Sequence, residues 1–192
     1  MKKTFYITTP IYYVNDKPHI GHAYTTILAD VLARYYRSIN YKNFFLTGLD
    51  EHGQKVQQAA EVKGVCPKNH CDQMAPRFIK LWEKLNISYN DFIRTTEKRH
   101  IKGVQKILKS VYDKGDIYKD EYEGLYSVSE ERFITEKEAE SGDFRDIKKI
   151  KEKNYFFKMS RYQKRLIQHI KENPNFIQPN HRKNEILGFL GK

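Results

Sequence analysis

The chain has 192 residues, of which 39% are hydrophobic, including 14 Tyr and 11 Phe, a composition that excludes a disordered chain and fits one or two small domains. Its net charge of +11 favours partners that carry phosphate groups. Two cysteines exclude a disulfide framework, and no apolar run is long enough to cross a bilayer, so we expect a cytoplasmic protein without a membrane partner.

The first part of the chain alternates strand-like and helix-like segments. Residues 4–9 (TFYITT) and 43–50 (NFFLTGLD) are short β-branched and aromatic runs, and we expect the first to end at Pro10. The segment between them predicts a helix with one apolar face, formed by Ala23, Ile27, Leu28, Val31, Leu32 and Tyr35. This order indicates a right-handed parallel unit, whose ligands normally lie beyond the carboxyl ends of the strands.

Three further helical segments and a third strand follow. Residues 51–64 predict a short helix stopped by Gly64, and residues 67–87 a helical region that Pro76 should bend or break near Ala75. Residues 91–96 (DFIRTT) are a plausible strand. The next segment predicts a helix whose apolar side chains point inward, namely Ile101, Val104, Ile107, Leu108 and Val111.

The α/β pattern changes after Gly115. The following residues are rich in tyrosine and strand-like. Residues 136–154 are charged, and we expect them to form a loop or turn on the surface. An amphipathic helix then ends before Pro174. We therefore expect two domains, residues 1–115 and residues 116–192, the second small and mixed in structure.

The histidine-containing turn KPHIGHAYTT is the first candidate site, because it connects a predicted strand to a periodic helix. The helix N-terminus offers free backbone N–H groups and a partial positive charge to phosphate. His19 and His22 are spaced to donate hydrogen bonds to phosphate oxygens, while Gly21 lets a base or sugar approach the backbone. This chemistry suits nucleotidyl transfer, although a chance match or a simple capping turn is an alternative for so short a motif.

A longer resemblance covers essentially the whole chain. The stretches FYITTPIYYVNDKPHIGHAYTTILADVLARYYR, FFLTGLDEHGQKVQQAA, DFIRTTEKRH and GDIYKDEYEGLYSVSEERF occur in the order found in bacterial methionyl-tRNA synthetases. The chain thus resembles the N-terminal part of this class I family. The resemblance implies a Rossmann-like (HUP-type) α/β catalytic fold interrupted by a connective peptide domain, activation of L-methionine by ATP with Mg²⁺, and transfer to tRNA(Met).

The resemblance also implies roles for individual residues. His19, Gly21 and His22 match the ATP-binding signature, with the two imidazoles in the catalytic role. The methionine-binding positions of the family correspond to Ile11, Tyr13, Asp50 and, with a less defined role, His52. Asp50 would hold the α-ammonium group of methionine, although from the residues alone it could equally cap a helix beginning at Glu51.

Two motifs of the family are altered. Ser127 and Glu130 occupy positions where many relatives have a Cys-x-x-Cys zinc knuckle, so we expect no structural zinc, and we assign no metal ligands elsewhere, Cys66, His70 and Cys71 included. Lys158-Met159-Ser160 looks like the start of the lysine-rich ATP loop of class I enzymes but continues with Arg and Tyr. We expect Lys158 to be non-catalytic and Ser160 to cap a helix in the connective segment.

The resemblance favours a methionine–tRNA ligase of which this chain is an N-terminal fragment, inactive or nearly so alone, with a monomer favoured. A free-standing nucleotidylyltransferase is an alternative, because it can share the histidine turn. A basic RNA-binding fragment without catalysis is another, because the second half of the catalytic fold is not in this sequence.

Overall fold

The computed structural model describes residues 3–130 and 132–191. The chain forms two compact units, Met1–Lys106 (unit 1) and Ile107–Lys192 (unit 2). The division lies inside a helix, upstream of the change in composition at Gly115. The assignment of residues 1–115 and 116–192 to two functional domains stays a prediction.

Unit 1 is built on a three-stranded parallel sheet of order β1-β2-β3, which confirms the predicted α/β class. Its elements are β1 (Thr4–Tyr13), α1 (Ile20–Ser38), β2 (Lys42–Asp50), α2 (Gln54–Val62), α3 (Pro67–Lys84), β3 (Asp91–Arg94) and α4 (Lys98–Asp113), which continues into unit 2. Both crossovers step in the same direction, so right-handed connections place their helices on one face of the sheet. The contacts of Tyr12 are consistent with this arrangement. Its hydroxyl is hydrogen-bonded to Thr26 of α1, and its ring packs against Trp82 of α3.

The strand β1 does not end at Pro10 but continues to Tyr13 through a register shift. Thr8 pairs with Leu46 and Ile11 with Gly48, so β1 has one residue more than β2 in this interval. Because side chains alternate along a strand, the extra residue exchanges the two faces. Tyr12 therefore enters the core.

The face of the sheet opposite the helices, here called the open face, carries exposed or half-buried side chains. They are Tyr6, Ile11, Tyr13, Phe44 and Asp50. The other face of the sheet, which contacts the helices, is buried. It forms the main core with side chains from the helices and the loops, and this core consists of Tyr12, Val14, Leu49, Val56, Cys71, Met74, Ala75, Phe78 and Trp82. A second cluster joins Ala29 and Ala33 of α1 to Phe45 of β2.

The apolar stripe of α1 lies outside this core. The helix instead buries its narrow side, formed by Thr26, Ala29, Asp30 and Ala33. Asp30 is held there because Ser88 and Arg34 donate to its carboxylate. Val31, in contrast, is 56% exposed and Leu28 is 53% exposed, a surface that a lone folded unit does not normally leave uncovered.

Two helix predictions need correction. Helix α3 runs unbroken through Pro76, so the predicted break near Ala75 is wrong, while a bend there stays a prediction. Helix α4 has no buried residue along its described length, and Ile107 is 66% exposed, so the prediction that its apolar side chains point inward is wrong. Periodicity correctly identified the apolar face of α4, but within the described chain only Val111 of this face is half-buried and the other four side chains are exposed.

Unit 2 has a three-stranded antiparallel sheet of order β5-β4-β6 followed by helices. Its elements are β4 (Ile117–Ser127), β5 (Arg132–Ile134), α5 (Glu136–Glu140), β6 (Ile147–Phe157), a 3₁₀ turn (Met159–Arg161), α6 (Gln163–Glu172) and α7 (Asn180–Leu190). The expectation of a loop or turn over residues 136–154 is wrong, because most of this segment lies in α5 and β6. Ser160 lies inside the 3₁₀ turn, and Tyr162 occupies the N-cap position of α6. The prediction that Ser160 caps the helix is therefore wrong.

Candidate functional site

The turn between β1 and α1 holds its two histidines in a fixed arrangement. His19 is the N-cap residue of α1, and its Nδ1 accepts a hydrogen bond from the backbone N–H of Gly21 at 3.1 Å. The Nδ1 atom of His22 accepts from the backbone N–H of His19, also at 3.1 Å. Since both Nδ1 atoms are acceptors, each neutral ring carries its proton on Nε2. No described residue bonds either Nε2, so both N–H groups are available to a ligand.

Aromatic packing fixes the orientation of these rings. The imidazoles of His19 and His22 stack with centroids 3.9 Å apart, and the His22 ring also lies 4.7 Å from Tyr12 and 5.4 Å from Phe78. Burial, and secondarily the charge of His19, lowers the pKa of His22 below its ordinary 6.5. His22 is therefore a neutral hydrogen-bond donor near neutral pH.

Gly21 is required by the histidine cap itself. A Cβ atom at this position would lie 2.9 Å from Cε1 of His19 and 3.1 Å from its Nδ1. Any side chain would displace the ring that caps α1. This steric reason adds to the predicted one, close approach of a nucleotide to the backbone.

The predicted methionine-binding residues meet on the open face at the carboxyl edge of the sheet. Tyr13 pairs with Asp50, and Ile11 pairs with Gly48. Because paired residues of neighbouring strands share a face, Ile11, Tyr13 and Asp50 surround the position of Gly48, which has no side chain. A Cβ there would lie 2.1 Å from the carbonyl oxygen of Ile93, so the close approach of β3 requires glycine. The result is a shallow surface with aromatic, aliphatic and anionic groups.

His52 follows this surface on an exposed turn, where its backbone N–H lies 3.4 Å from Oδ1 of Asp50. Helix α2 begins only at Gln54, and Gly53 is its N-cap. The alternative that Asp50 caps a helix starting at Glu51 is therefore wrong. Asp50 is half-buried at the carboxyl end of β2.

Sequence reasoning missed two residues that support the histidine turn. Tyr12 packs on His22, and its hydroxyl lies 2.9 Å from Oγ1 of Thr26. The buried His70 donates from Nε2 to the carbonyl oxygen of Val14 at 2.7 Å, which ties the start of the loop to α3. The role of Tyr12 was missed because of the register shift in β1, called the bulge below. Without it, simple alternation from Tyr6 would place Tyr12 on the open face. No local signal marks the contact made by His70.

Serine hydroxyls organise the segment around Ser127 and Glu130, where the sequence predicts that a zinc knuckle has been lost. Ser127 is buried, and its hydroxyl contacts the Ser129 hydroxyl at 3.0 Å and the Arg145 carbonyl oxygen at 3.3 Å. The Glu130 backbone N–H donates to the same hydroxyl at 3.3 Å. Within residues 3–130 and 132–191, no group of three or more His, Cys, Asp or Glu is placed to hold a metal ion.

Lys158 is bound inside unit 2. Its Nζ donates to the Gly115 carbonyl oxygen at 2.9 Å and lies 5.8 Å from the centre of the Tyr118 ring. Arg161 and Tyr162 both contact the carboxylate of Asp116, which is buried. The Lys-Met-Ser stretch therefore joins β6 to α6 around Asp116.

Among the described helices, none combines the length and the apolar character that a membrane crossing requires.

Comparisons with known proteins agree with this geometry. The family model described as "tRNA synthetases class I (M)" matches residues 5–143. A methionine–tRNA ligase of Clostridium tetani is 55% identical over 190 residues, and one of Halalkalibacterium halodurans is 51% identical over 203 residues. Each alignment covers 97% of this chain and 30% of the relative, so the chain spans about a third of the length of these relatives.

A solved structure gives the same result. The Mycobacterium tuberculosis methionyl-tRNA synthetase in complex with methionyl-adenylate superposes with a TM-score of 0.91 at 40% identity, covering 98% of this chain and 39% of the other. The parallel sheet, the histidine turn at its carboxyl edge and the family match are mutually consistent. The chain belongs to the class I tRNA synthetase family of the methionine type.

Proposed function

We propose that this chain supplies the first half of the catalytic site of a methionine–tRNA ligase. That enzyme would join L-methionine to ATP, release pyrophosphate, and transfer the methionyl group to tRNA(Met). One observation carries the proposal: the two Nε2–H donors at the start of α1 lie at the same sheet edge as Tyr13 and Asp50. A translation enzyme of this kind would act in the cytoplasm, and the monomeric state stays a prediction.

The histidine turn would receive the triphosphate of ATP. His19 and His22 would donate to phosphate oxygens from Nε2, and the N-terminus of α1 would add its partial positive charge. Charge on the β- and γ-phosphates grows as pyrophosphate leaves, so these donors would stabilise the transition state more than the bound substrate. Mg²⁺ would arrive with ATP and screen the same charge.

The open face would receive methionine. The carboxylate of Asp50 would bind the α-ammonium group, while Ile11 and the ring of Tyr13 would contact the apolar side chain and its thioether. The methionine carboxylate is already the nucleophile, so the chemistry needs no general base. The protein's task is to place this carboxylate in line with the α-phosphate.

The exposed apolar surfaces of unit 1 favour a site that is completed by further polypeptide. Within the described residues, β1 pairs with β2 alone and leaves its other edge open. The apolar stripe of α1 and the open face of the sheet are exposed as well. We propose that the part found in the longer relatives covers these surfaces, and that this chain alone has little or no activity.

The lysines on the sheet of unit 2 give little support for a contact with tRNA, because acidic side chains of the same sheet pair with them. On β6, Lys149 and Lys151 form ion pairs with Glu123 and Glu121 of β4, with N–O distances of 2.8 and 2.5 Å. Their charge is largely compensated within the hairpin. The proposed tRNA partner therefore rests on the family and on the names of the relatives.

The test is methionine-dependent exchange of pyrophosphate into ATP, measured on this chain and on the complete gene product. We expect exchange by the complete product and little or none by this chain. Asp50→Asn in the complete product should raise KM for methionine strongly, because it removes the anion and keeps the shape. Absence of exchange in the complete product, with tRNA still bound, would instead support a non-catalytic RNA-binding role.

A further inference from the structure

The carboxylate of Glu51, the residue after Asp50, is fully buried and bound at both oxygens. Its Oε1 accepts from Nε of Arg94 at 2.6 Å, and its Oε2 accepts from the hydroxyl of Thr96. The Glu51 side chain has 0% exposure. A buried carboxylate is costly unless it is paired and fully hydrogen-bonded, so these contacts define where Glu51 can lie.

Arg94 extends this contact to α3. Its Nη2 donates to Oδ1 of Asp72 at 2.5 Å while its Nε holds Glu51. The planar guanidinium can bridge two carboxylates in fixed directions, which a lysine ammonium on a flexible stem cannot reproduce. Hydrogen bonds from Lys68 and then Arg94 lower the pKa of Asp72 below its usual range. The carboxyl end of β2 is thus joined to α3 through Arg94.

The backbone is fixed by the same segment. The N–H of Glu51 donates to Oγ1 of Thr95 at 2.9 Å, and the N–H of Thr95 donates to the carbonyl oxygen of Leu49 at 3.2 Å. Contacts to the segment 94–96 therefore lie on both sides of Asp50. They hold the backbone immediately before and after Asp50.

We propose that Arg94 is a positioning residue that orients the Asp50 carboxylate toward the amino group of methionine. The inference rests on the proposed function and adds the group that holds Asp50 in place. Arg94 pairs with Leu49, whose side chain lies on the buried face of the sheet, so Arg94 would not touch a substrate on the open face. Its loss should affect methionine more than ATP, because the histidine turn is fixed by separate contacts.

The opposite end of β3 offers a matched control. Arg99 binds Asp91 through two hydrogen bonds of 2.6 and 2.9 Å. This pair also joins an arginine fork to a carboxylate of unit 1, but it lies at the end of β3 away from Asp50. Arg99→Lys should therefore report the effect of replacing an arginine fork at a more exposed pair of unit 1, without disturbing the site.

The experiment uses the complete gene product with Arg94→Lys, Arg99→Lys and Asp72→Asn. In the exchange assay, Arg94→Lys should raise KM for methionine about tenfold or more and leave KM for ATP within about twofold. Asp72→Asn keeps an acceptor oxygen but removes the negative charge of the outer contact, so it should give a smaller change in the same direction. Hydrogen exchange at the Glu51 amide should accelerate about tenfold or more in Arg94→Lys and stay unchanged in Arg99→Lys.

The outcomes separate the inference from the proposed function. An unchanged KM for methionine in Arg94→Lys, an equal rise in both KM values, or the same rise in Arg99→Lys would overturn the positioning role. If Arg94→Lys does not fold, Asp72→Asn decides by the same criteria. If the unmodified protein shows no methionine-dependent exchange, the proposed function fails, while the Glu51 amide still tests whether Arg94 fixes this turn.

Discussion

The histidine turn and the Lys-Met-Ser stretch both look like ATP-binding motifs of class I synthetases. They differ in whether their side-chain donors are already bound by other residues of the chain. Both follow a strand and lead into a helix. In the first, the hydrogen bonds that the two imidazoles form with described residues use the Nδ1 atoms of His19 and His22, so both Nε2–H groups remain available. In the second, Lys158 donates to the Gly115 carbonyl oxygen and Arg161 donates to the Asp116 carboxylate. A motif becomes a candidate site when its donors are fixed but unused.

The largest effect that tests this comparison should come from His22. In the complete gene product, His22→Asn keeps an acceptor near the position of Nδ1 for the His19 N–H but removes the Nε2–H donor. We expect kcat for pyrophosphate exchange to fall about 10²- to 10³-fold, as for loss of one preorganised donor. His22→Gln places an amide N–H near the position of Nε2 and should recover part of the rate. Equal activity of both variants would show that His22 has only a structural role.

The second effect concerns the contacts of Arg161 and Tyr162 with Asp116, here called the joint. Asp116→Ala removes the buried acceptor shared by Arg161 and the Tyr162 hydroxyl, and because Arg161 is exposed and Tyr162 half-buried, both donors can turn to water. We expect hydrogen exchange to become moderately faster at the Lys158 amide, which donates to the Asp116 carbonyl oxygen at 2.8 Å. The KM for ATP should not change. A selective loss of ATP binding would instead indicate that this joint belongs to the nucleotide site.

A smaller effect should appear in the pH dependence of stability. The pKa of His22 is below 6.5 in the folded protein, first because of burial and then because of the His19 charge. The unfolded chain then binds the proton more readily, so this contribution is present above pH 6.5 and is lost as pH falls through the folded pKa. His22→Asn should flatten the stability profile in this window. An NMR titration that placed the His22 pKa above 6.5 would contradict this account.

The local elements of unit 1 were predictable because their signals are local. The apolar run 43–50 and the periodic segment of α1 correspond to β2 and α1 with small changes at their ends. The bulge at residues 8–11 was not predictable, since it depends on the register between β1 and β2. That register decides which tyrosine supports His22 and which faces the open side.

The direction in which an apolar face points was also beyond local sequence. The spacing in α4 correctly marks a stripe through Ile101, Val104 and Leu108, yet none of these residues is buried. Periodicity tells which side of a helix is apolar and does not tell what covers it. The partners of Glu51 were unpredictable for the same reason, because Arg94 lies 43 residues further along the chain.

The smallest effect is expected at Lys158, where the comparison is sharpest. Lys158→Met keeps the length of the side chain and removes the contact with the Gly115 carbonyl oxygen, an exposed hydrogen bond. Such a bond contributes about 0.5–1.5 kcal/mol, so a small rise in the exchange rate of the amides around Gly115 is the expected structural change. The kcat and KM for ATP of the complete gene product should stay within about twofold of the unmodified values, since a twofold change corresponds to less than about 0.5 kcal/mol. A loss of rate comparable to that of His22→Asn would mean that the Lys158 ammonium leaves the Gly115 carbonyl oxygen to bind phosphate, and the distinction between the two motifs would then fail.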